Sequence, residues 1–159
     1  MTDVRCPGIL VADTFLGLLK EIPCEGQLLT AETMPSHAGG CAANVAIDLS
    51  KQGIATAVVG CVGRDLSSSV IADEFSQANV GCNHLIYSAD HPTSRTLSLL
   101  VEGQDRRYIH MLGVGIYQKC PDACRTLLET GAVIGVGAGQ QDATRENWLW
   151  LNAALGKRL

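Results

Sequence analysis

The stretch Ala55-Thr56-Ala57-Val58-Val59-Gly60-Cys61-Val62 carries no charged residue and is closed at once by Gly63-Arg64-Asp65. A continuously apolar, β-branched run reads as a strand buried on both faces, which requires helices on each side of a parallel sheet. The surrounding sequence supplies those helices. Upstream, Gly8-Ile9-Leu10-Val11-Ala12-Asp13 is a second apolar run that ends on a carboxylate. Between the two runs, Cys41 to Lys51 reads as a helix of small apolar residues, with Gly53 placed to end it. Downstream, Ser67 to Ala78 spaces Val70, Ile71 and Phe75 so that one apolar stripe faces the sheet. The order β-α-β-α predicts an α/β fold. Asp13 is then expected at the carboxyl end of a core strand, where open α/β sheets place their ligands.

Two segments do not fit the core sheet. From Ile22 to Ser36 the chain carries Pro23, Gly26 and Pro35 around Gln27 to Met34, a candidate strand of low apolar density. Between Thr96 and Met111, two strand-like runs flank Gly103-Gln104-Asp105, which reads as a β-hairpin. Together they predict a small sheet standing off the main one, with strands at about 22–36 and 94–112. No internal repeat or low-complexity tract is visible.

Composition excludes several classes of function. The 159 residues form one domain of ordinary size, and 47% hydrophobic residues fill a single core. Formal net charge is −4 and the basic residues are scattered, so a nucleic-acid partner is not expected. Apolar stretches are broken well short of the roughly 20 residues a membrane-spanning helix needs. The start, Met1-Thr2-Asp3-Val4-Arg5, lacks the pattern of a signal peptide, and the expected location is cytoplasmic. Cysteines stand at positions 6, 24, 41, 61, 82, 120 and 124 with no C-x-x-C pair, so neither a disulfide framework nor a zinc ribbon is expected. Cys120 and Cys124 are one helical turn apart, but no His or Asp is placed to complete a metal site.

The chemistry concentrates in Ala38-Gly39-Gly40-Cys41-Ala42-Ala43-Asn44-Val45-Ala46. Paired glycines ahead of a helix let a ligand approach the main chain closely. The first helical N–H groups have no intrahelical partner and can bind oxygen atoms. Asn44 presents a donor and an acceptor from one amide, which suits a hydroxyl that must both give and receive a hydrogen bond. The plainer alternative is a tight turn at Gly39-Gly40, with Asn44 solvating the helix and Asp13 serving a cap or turn.

The run from Gly39-Gly40 through Asn44-Val45-Ala46 and Gly53 to Val58-Val59-Gly60-Cys61-Val62-Gly63-Arg64-Asp65 resembles the first signature of the ribokinase-like (PfkB) carbohydrate kinases. Asp13, the turn Glu25-Gly26-Gln27, Pro92-Thr93-Ser94 and the hairpin also fall in that family's order, so the resemblance covers roughly residues 8 to 112. It implies a Rossmann-like α/β domain, here partial, with a small β-sheet lid that often forms a dimer contact. It further implies a small-molecule sugar as ligand, with Asp13 hydrogen-bonding its hydroxyls, Gly39 and Gly40 forming the pocket floor, and Asn44 holding another hydroxyl. Cys41 stands where several family members carry Lys, which leaves the identity of the sugar open. For the intact enzyme the resemblance implies transfer of the γ-phosphoryl of ATP to a sugar hydroxyl with Mg²⁺.

The family's second signature, Asp-Thr-x-Gly-Ala-Gly-Asp, which carries the catalytic base, is not found in the sequence. Without a base to orient and deprotonate the attacking hydroxyl, transfer should be very slow. The sequence therefore reads as a sugar-binding N-terminal half with no catalytic residue and no ATP or metal site of its own. Gly135-Val136-Gly137-Ala138-Gly139 contains Gly-Ala-Gly, but Gln140 stands where the base should be. As a dinucleotide fingerprint it also fails, because Gln140 occupies the place of the last glycine and no acidic residue stands about 20 residues on. Ala132 to Gly137 reads instead as another core strand. Beyond Gly113 the likeness fades, and 113–159 reads as a divergent or altered tail whose stretch from Asn147 to Leu155 has helical character. The alternative function is a non-catalytic sugar-binding or dimerisation module.

Overall fold

The computed structural model describes residues 2–114 and the short strand Ala132–Val133. In chain order the elements are β1 (Val4–Pro7), β2 (Val11–Leu19), β3 (Ser36–Gly39), α1 (Cys41–Lys51), β4 (Thr56–Gly63), α2 (Leu66–Gln77), β5 (Gly81–Ser88), β6 (Ser94–Val101), β7 (Arg107–Met111) and β8 (Ala132–Val133). They form two four-stranded sheets, ordered β5-β4-β1-β8 and β3-β2-β6-β7. The first is parallel throughout, with Val4 opposite Thr56 and Cys6 opposite Val58. The second is mixed: β2 runs antiparallel to β3 and parallel to β6, and β6 is antiparallel to β7.

The predicted α/β fold is present, and both helices fall where their apolar spacing put them. The core gathers Cys6, Leu10, Val58, Val62, Ile71 and Phe75 with Ala42, Ala43 and Ala46 of α1. Alanines on the buried face let α1 lie close to the sheet. Fully burying a side chain such as Phe75 or Ile71 contributes about 1.5–3 kcal/mol each. Asp65 caps α2 with a reciprocal capping box: its carboxylate accepts from the Ser68 N–H at 3.0 Å, while the Ser68 hydroxyl accepts from the Asp65 N–H at 3.4 Å.

Two expectations are corrected, and one strand is added. The run from Gly8 to Asp13 is not one core strand. Val4–Pro7 supplies the core strand β1, and Pro7, which has no N–H for a further ladder bond, is its last residue. The chain then crosses into the second sheet, so Asp13 is the third residue of β2 and does not end a core strand. The lid strand expected within 22–36 is also displaced: residues 27–34 form no strand, and β3 spans Ser36–Gly39. The irregular segment still runs beside β2, because Phe15 N–H donates to Pro35 O and Gly17 N–H to Thr33 O, each at 2.9 Å. Pro35 cannot return a hydrogen bond, which ends the regular ladder there. The added strand is β5, where Gly81-Cys82-Asn83-His84 mixes polar and apolar residues in a strand that pairs, among the described residues, on one side only.

The hairpin is as predicted, with β6 and β7 joined through Gly103 at φ +67°. Of the remaining strand read at 132–137, Ala132–Val133 pairs with β1 and the rest lies outside the described residues, as do the Gly135–Gly139 motif, Cys120, Cys124 and the stretch from Asn147 to Leu155.

Candidate functional site

The site is built where the two sheets meet. β3 ends at Gly39, Gly40 is the N-cap, and α1 begins at Cys41. In the β2–β3 ladder Gly39 lies opposite Val11, and Asp13 is the next residue of β2 on the same face. The Asp13 carboxylate folds back over Gly39, so closely that a Cβ placed on Gly39 would collide with Oδ2. Gly40 has φ +89° and ψ 154°, a conformation essentially confined to glycine, and a Cβ there would strike the main-chain oxygen of Ile9. Both glycines are thus required by close approach, one to a side chain and one to backbone.

Among the described residues no side chain caps α1, whose first turn carries no acidic residue, and Gly39, on which the Asp13 carboxylate is seated, immediately precedes the N-cap Gly40. Asn44 lies one turn along the helix and is exposed. Neither the Asp13 carboxylate nor the Asn44 amide hydrogen-bonds another side chain or the main chain among the described residues. Asp13 lies against Gly39 and Gly40 follows it, while Asn44 is joined to Gly40 through its N–H, which donates to Gly40 O at 3.1 Å, and makes no hydrogen bond with Asp13. Cys41, at the first helical position, is half-buried.

A second cluster fixes the β6–β7 hairpin to the end of β4. Asp65 Oδ1 accepts from the Thr93 hydroxyl at 2.7 Å and Oδ2 from the Thr93 N–H at 2.9 Å. The same hydroxyl accepts from the Gly63 N–H at 2.9 Å. Ser94 Oγ accepts from Gly113 N–H at 3.0 Å, and Pro92 O from Val114 N–H at 2.8 Å. The start of the hairpin is therefore tied to the end of β4, and the residues after β7 are tied to that start. Partial burial pushes the Asp65 carboxyl up, but the hydrogen bonds from Thr93 and Ser68 and the nearby Arg95 charge outweigh it and hold the carboxyl below the usual aspartate value. Sequence reasoning took Asp65 only as part of a motif; its partner Thr93 is 28 residues away, and only the fold brings the two together.

The register also groups residues that the sequence reading passed over. Thr96 of β6 lies opposite Asp13, and His110 of β7 lies opposite Thr96. Strand parity within the hairpin was the available signal. Among the described residues no group of three or more His, Cys, Asp or Glu is placed to hold a metal ion. An apolar groove of about 530 Å³, lined by residues including Leu16, Leu28, Met34 and Leu99, lies on the other face of the second sheet. Leu16 and Leu99 are out of phase with Asp13 and Thr96, which separates the groove from the site.

The arrangement of sheets and helices is shared with solved ribokinases. The chain superposes on Arabidopsis thaliana ribokinase, solved with ribose and ATP, with a TM-score of 0.81 at 20% identity, covering 99% of this chain and 51% of that one. Giardia lamblia ribokinase gives 0.82 at 18% identity, covering 98% and 51%. Halothermothrix orenii fructokinase gives 0.71 at 14% identity, covering 96% and 54%. The chain thus spans about half the length of these solved relatives. No curated protein matches it. Residues 1–114 match the pfkB family carbohydrate kinases, and the chain belongs to that family.

Proposed function

We propose that this chain forms the sugar-binding part of a carbohydrate kinase, with Asp13, Gly39, Gly40 and Asn44 as the residues that hold the sugar. The observation that carries this reading is the Asp13 carboxylate: it has no hydrogen-bond partner among the described residues, is seated on Gly39, and lies close to the start of α1, which no side chain caps among those residues. A carboxylate accepts hydrogen bonds only, whereas the helix N–H groups only donate, so together they match hydroxyls, which do both. A phosphate at the same place would meet the Asp13 charge directly. The ribose in the Arabidopsis relative agrees with a sugar ligand here.

The complete family reaction would transfer the γ-phosphoryl of ATP, assisted by Mg²⁺, to a sugar hydroxyl. The 159 residues contain no Asp-Thr-x-Gly-Ala-Gly-Asp sequence to supply the base. Asp13, Gly39, Gly40 and Asn44 would bind and orient the acceptor, and none of the four is assigned a catalytic role. No helix among the described residues is long and apolar enough to cross a membrane.

A second reading, a module that binds sugar or pairs with a copy of itself without catalysis, draws on the lid. Leu28, Met34, Tyr108 and Ile109 are all exposed on or beside the second sheet, and apolar residues left to water together are a feature of interaction surfaces.

Calorimetric titration with a sugar panel that includes D-ribose and D-fructose, with and without Mg-ATP, tests the reading. One sugar should bind, independently of Mg-ATP, and Asp13→Ala should abolish that binding. A folded chain that binds no sugar would overturn the pocket assignment. Sedimentation of the same sample reports whether the lid pairs copies.

A further inference from the structure

We infer that Glu74, on α2 and outside the site, is a positioning residue for the sugar pocket, holding the main chain immediately ahead of Gly39 and Gly40 through a hydrogen bond from Ala38; this rests on the proposed sugar-binding role. β3 has four residues and stands at the edge of its sheet beside β2. The ladder fixes which of its groups face β2. Phe15 N–H donates to Pro35 O and Gly17 N–H to Thr33 O, and the pairs Asp13–His37 and Val11–Gly39 continue that series. Antiparallel strands alternate bonded and non-bonded pairs, so Ala38, between His37 and Gly39, turns its N–H away from β2. Ala38 is buried, and that N–H needs an acceptor within the protein.

Glu74 supplies it. Its Oε2 accepts from the Ala38 N–H at 2.6 Å, across 36 positions of sequence. His37 Nδ1 lies 3.6 Å from the same oxygen, farther than a hydrogen bond, so the main chain rather than the imidazole holds the carboxylate. An ionised acceptor makes this bond about twice as strong as a neutral one.

The anchor is itself fixed. Phe75, the next residue, is fully buried and sets the rotation of α2 against the core. At one end of the helix Asp65 caps it and accepts from the Thr93 hydroxyl. At the other, the Ser50 hydroxyl of α1 donates to Ala78 O at 2.7 Å. Through Glu74, α2 therefore joins the base of the hairpin to the strand that carries the glycine pair.

The consequence for the pocket follows from how closely Gly39 is placed. The Asp13 carboxylate has room over Gly39 because no Cβ stands there, and the next residue, Gly40, starts α1. Outward drift of Ala38 would shift both the seat of Asp13 and the entry to α1. A sugar would then meet the assembled pocket in only part of the population, and its apparent affinity would fall by that fraction. Glu74 needs no contact with the sugar to have this effect.

Calorimetric titration of the full chain with D-ribose and D-fructose tests this, comparing wild type with Glu74→Ala, Glu74→Gln, Glu74→Asp and Ile71→Val. Asp13→Ala is the site control, circular dichroism checks folding, and hydrogen exchange of the Ala38 amide is read on the same samples. Glu74→Ala should weaken binding of the preferred sugar by about tenfold, the scale of one charge-assisted hydrogen bond, and should speed Ala38 exchange. Glu74→Gln keeps an acceptor oxygen at the same reach and should restore most of both. Glu74→Asp is one methylene shorter and should resemble Glu74→Ala; if Glu74→Ala does not fold, the contrast between Gln and Asp decides. Ile71→Val loosens α2 without touching β3 and should bind as wild type, which separates positioning from a general loss of stability. Wild-type affinity in Glu74→Asp and in any folded Glu74→Ala, equal weakening by Gln and Asp, or weakening by Ile71→Val to the same extent, with Asp13→Ala abolishing binding, would overturn the role of Glu74 and leave the sugar site standing. If Asp13→Ala binds as wild type does, or the folded wild type binds no sugar, both fall.

Discussion

The carboxylate of Asp13 occupies the space that a Cβ on Gly39 would fill. The two residues are 26 positions apart and meet only because β2 and β3 pair in a register that sets Val11 opposite Gly39. Gly39→Ala should consequently act on the site more than on the fold, since a carboxylate end can swing away at small cost. Sugar affinity should fall at least about tenfold, the loss of a hydrogen bond to a charged group, while thermal stability changes by less than about 1 kcal/mol. Parallel titration and melting experiments check the split.

Gly40→Ala should do the reverse. Its φ of +89° is one that side chains rarely adopt, and the obstacle is main chain at Ile9, which cannot swing aside. A cost of about 1–3 kcal/mol is expected from the conformation alone, before the clash is counted. Chemical denaturation should show a lower midpoint with an unchanged slope.

The tie between Asp65 and Thr93 should be sensitive to acid. The Asp65 carboxyl is held below its ordinary value in the fold, so its stabilising contribution is fully present above the unfolded-state value and is lost as pH falls through the folded-state one. Thr93→Val removes the hydroxyl that bridges Gly63 and Asp65 and should cost about 1–3 kcal/mol. Asp65→Asn should flatten the acid limb of a stability profile measured between neutral pH and pH 3.

Phe75 and Ile71 are completely buried against the sheet. Phe75→Ala should cost about 3–5 kcal/mol and Ile71→Val about 0.5–1.5 kcal/mol. Measured unfolding free energies that failed to follow this order would contradict the packing of α2 on the core.

Thiol reactivity should separate Cys6 from Cys24. Burial pushes the Cys6 thiol up to about 11, whereas Cys24 is exposed. At pH 8 iodoacetamide should label Cys24 first and leave Cys6 unmodified until the chain unfolds, as read by mass spectrometry.

The α/β class, both helices, β4, the hairpin and the glycine pair were all legible in the amino-acid sequence. Each of these is a local pattern: continuous apolar runs, helical spacing of Ile71 and Phe75, turn residues at Gly103, and Gly39-Gly40 before a run of alanines. The boundary between β1 and β2 was not legible, because an apolar run looks the same whether it stays in one sheet or passes into another. The lid strand was misplaced by several residues, since Pro35 controls the ladder through a missing hydrogen bond that matters only once β2 is alongside. That Asp13 sits on Gly39, that Asp65 holds Thr93, and that Thr96 and His110 share a row with Asp13 emerged only from the folded chain. Asp65 and Thr93 lie in the connections after β4 and before β6, so only the packed chain brings them together. The other two relationships depend on register between strands distant in sequence, and a shift of one residue would turn Asp13, Thr96 or His110 to the opposite face of the sheet.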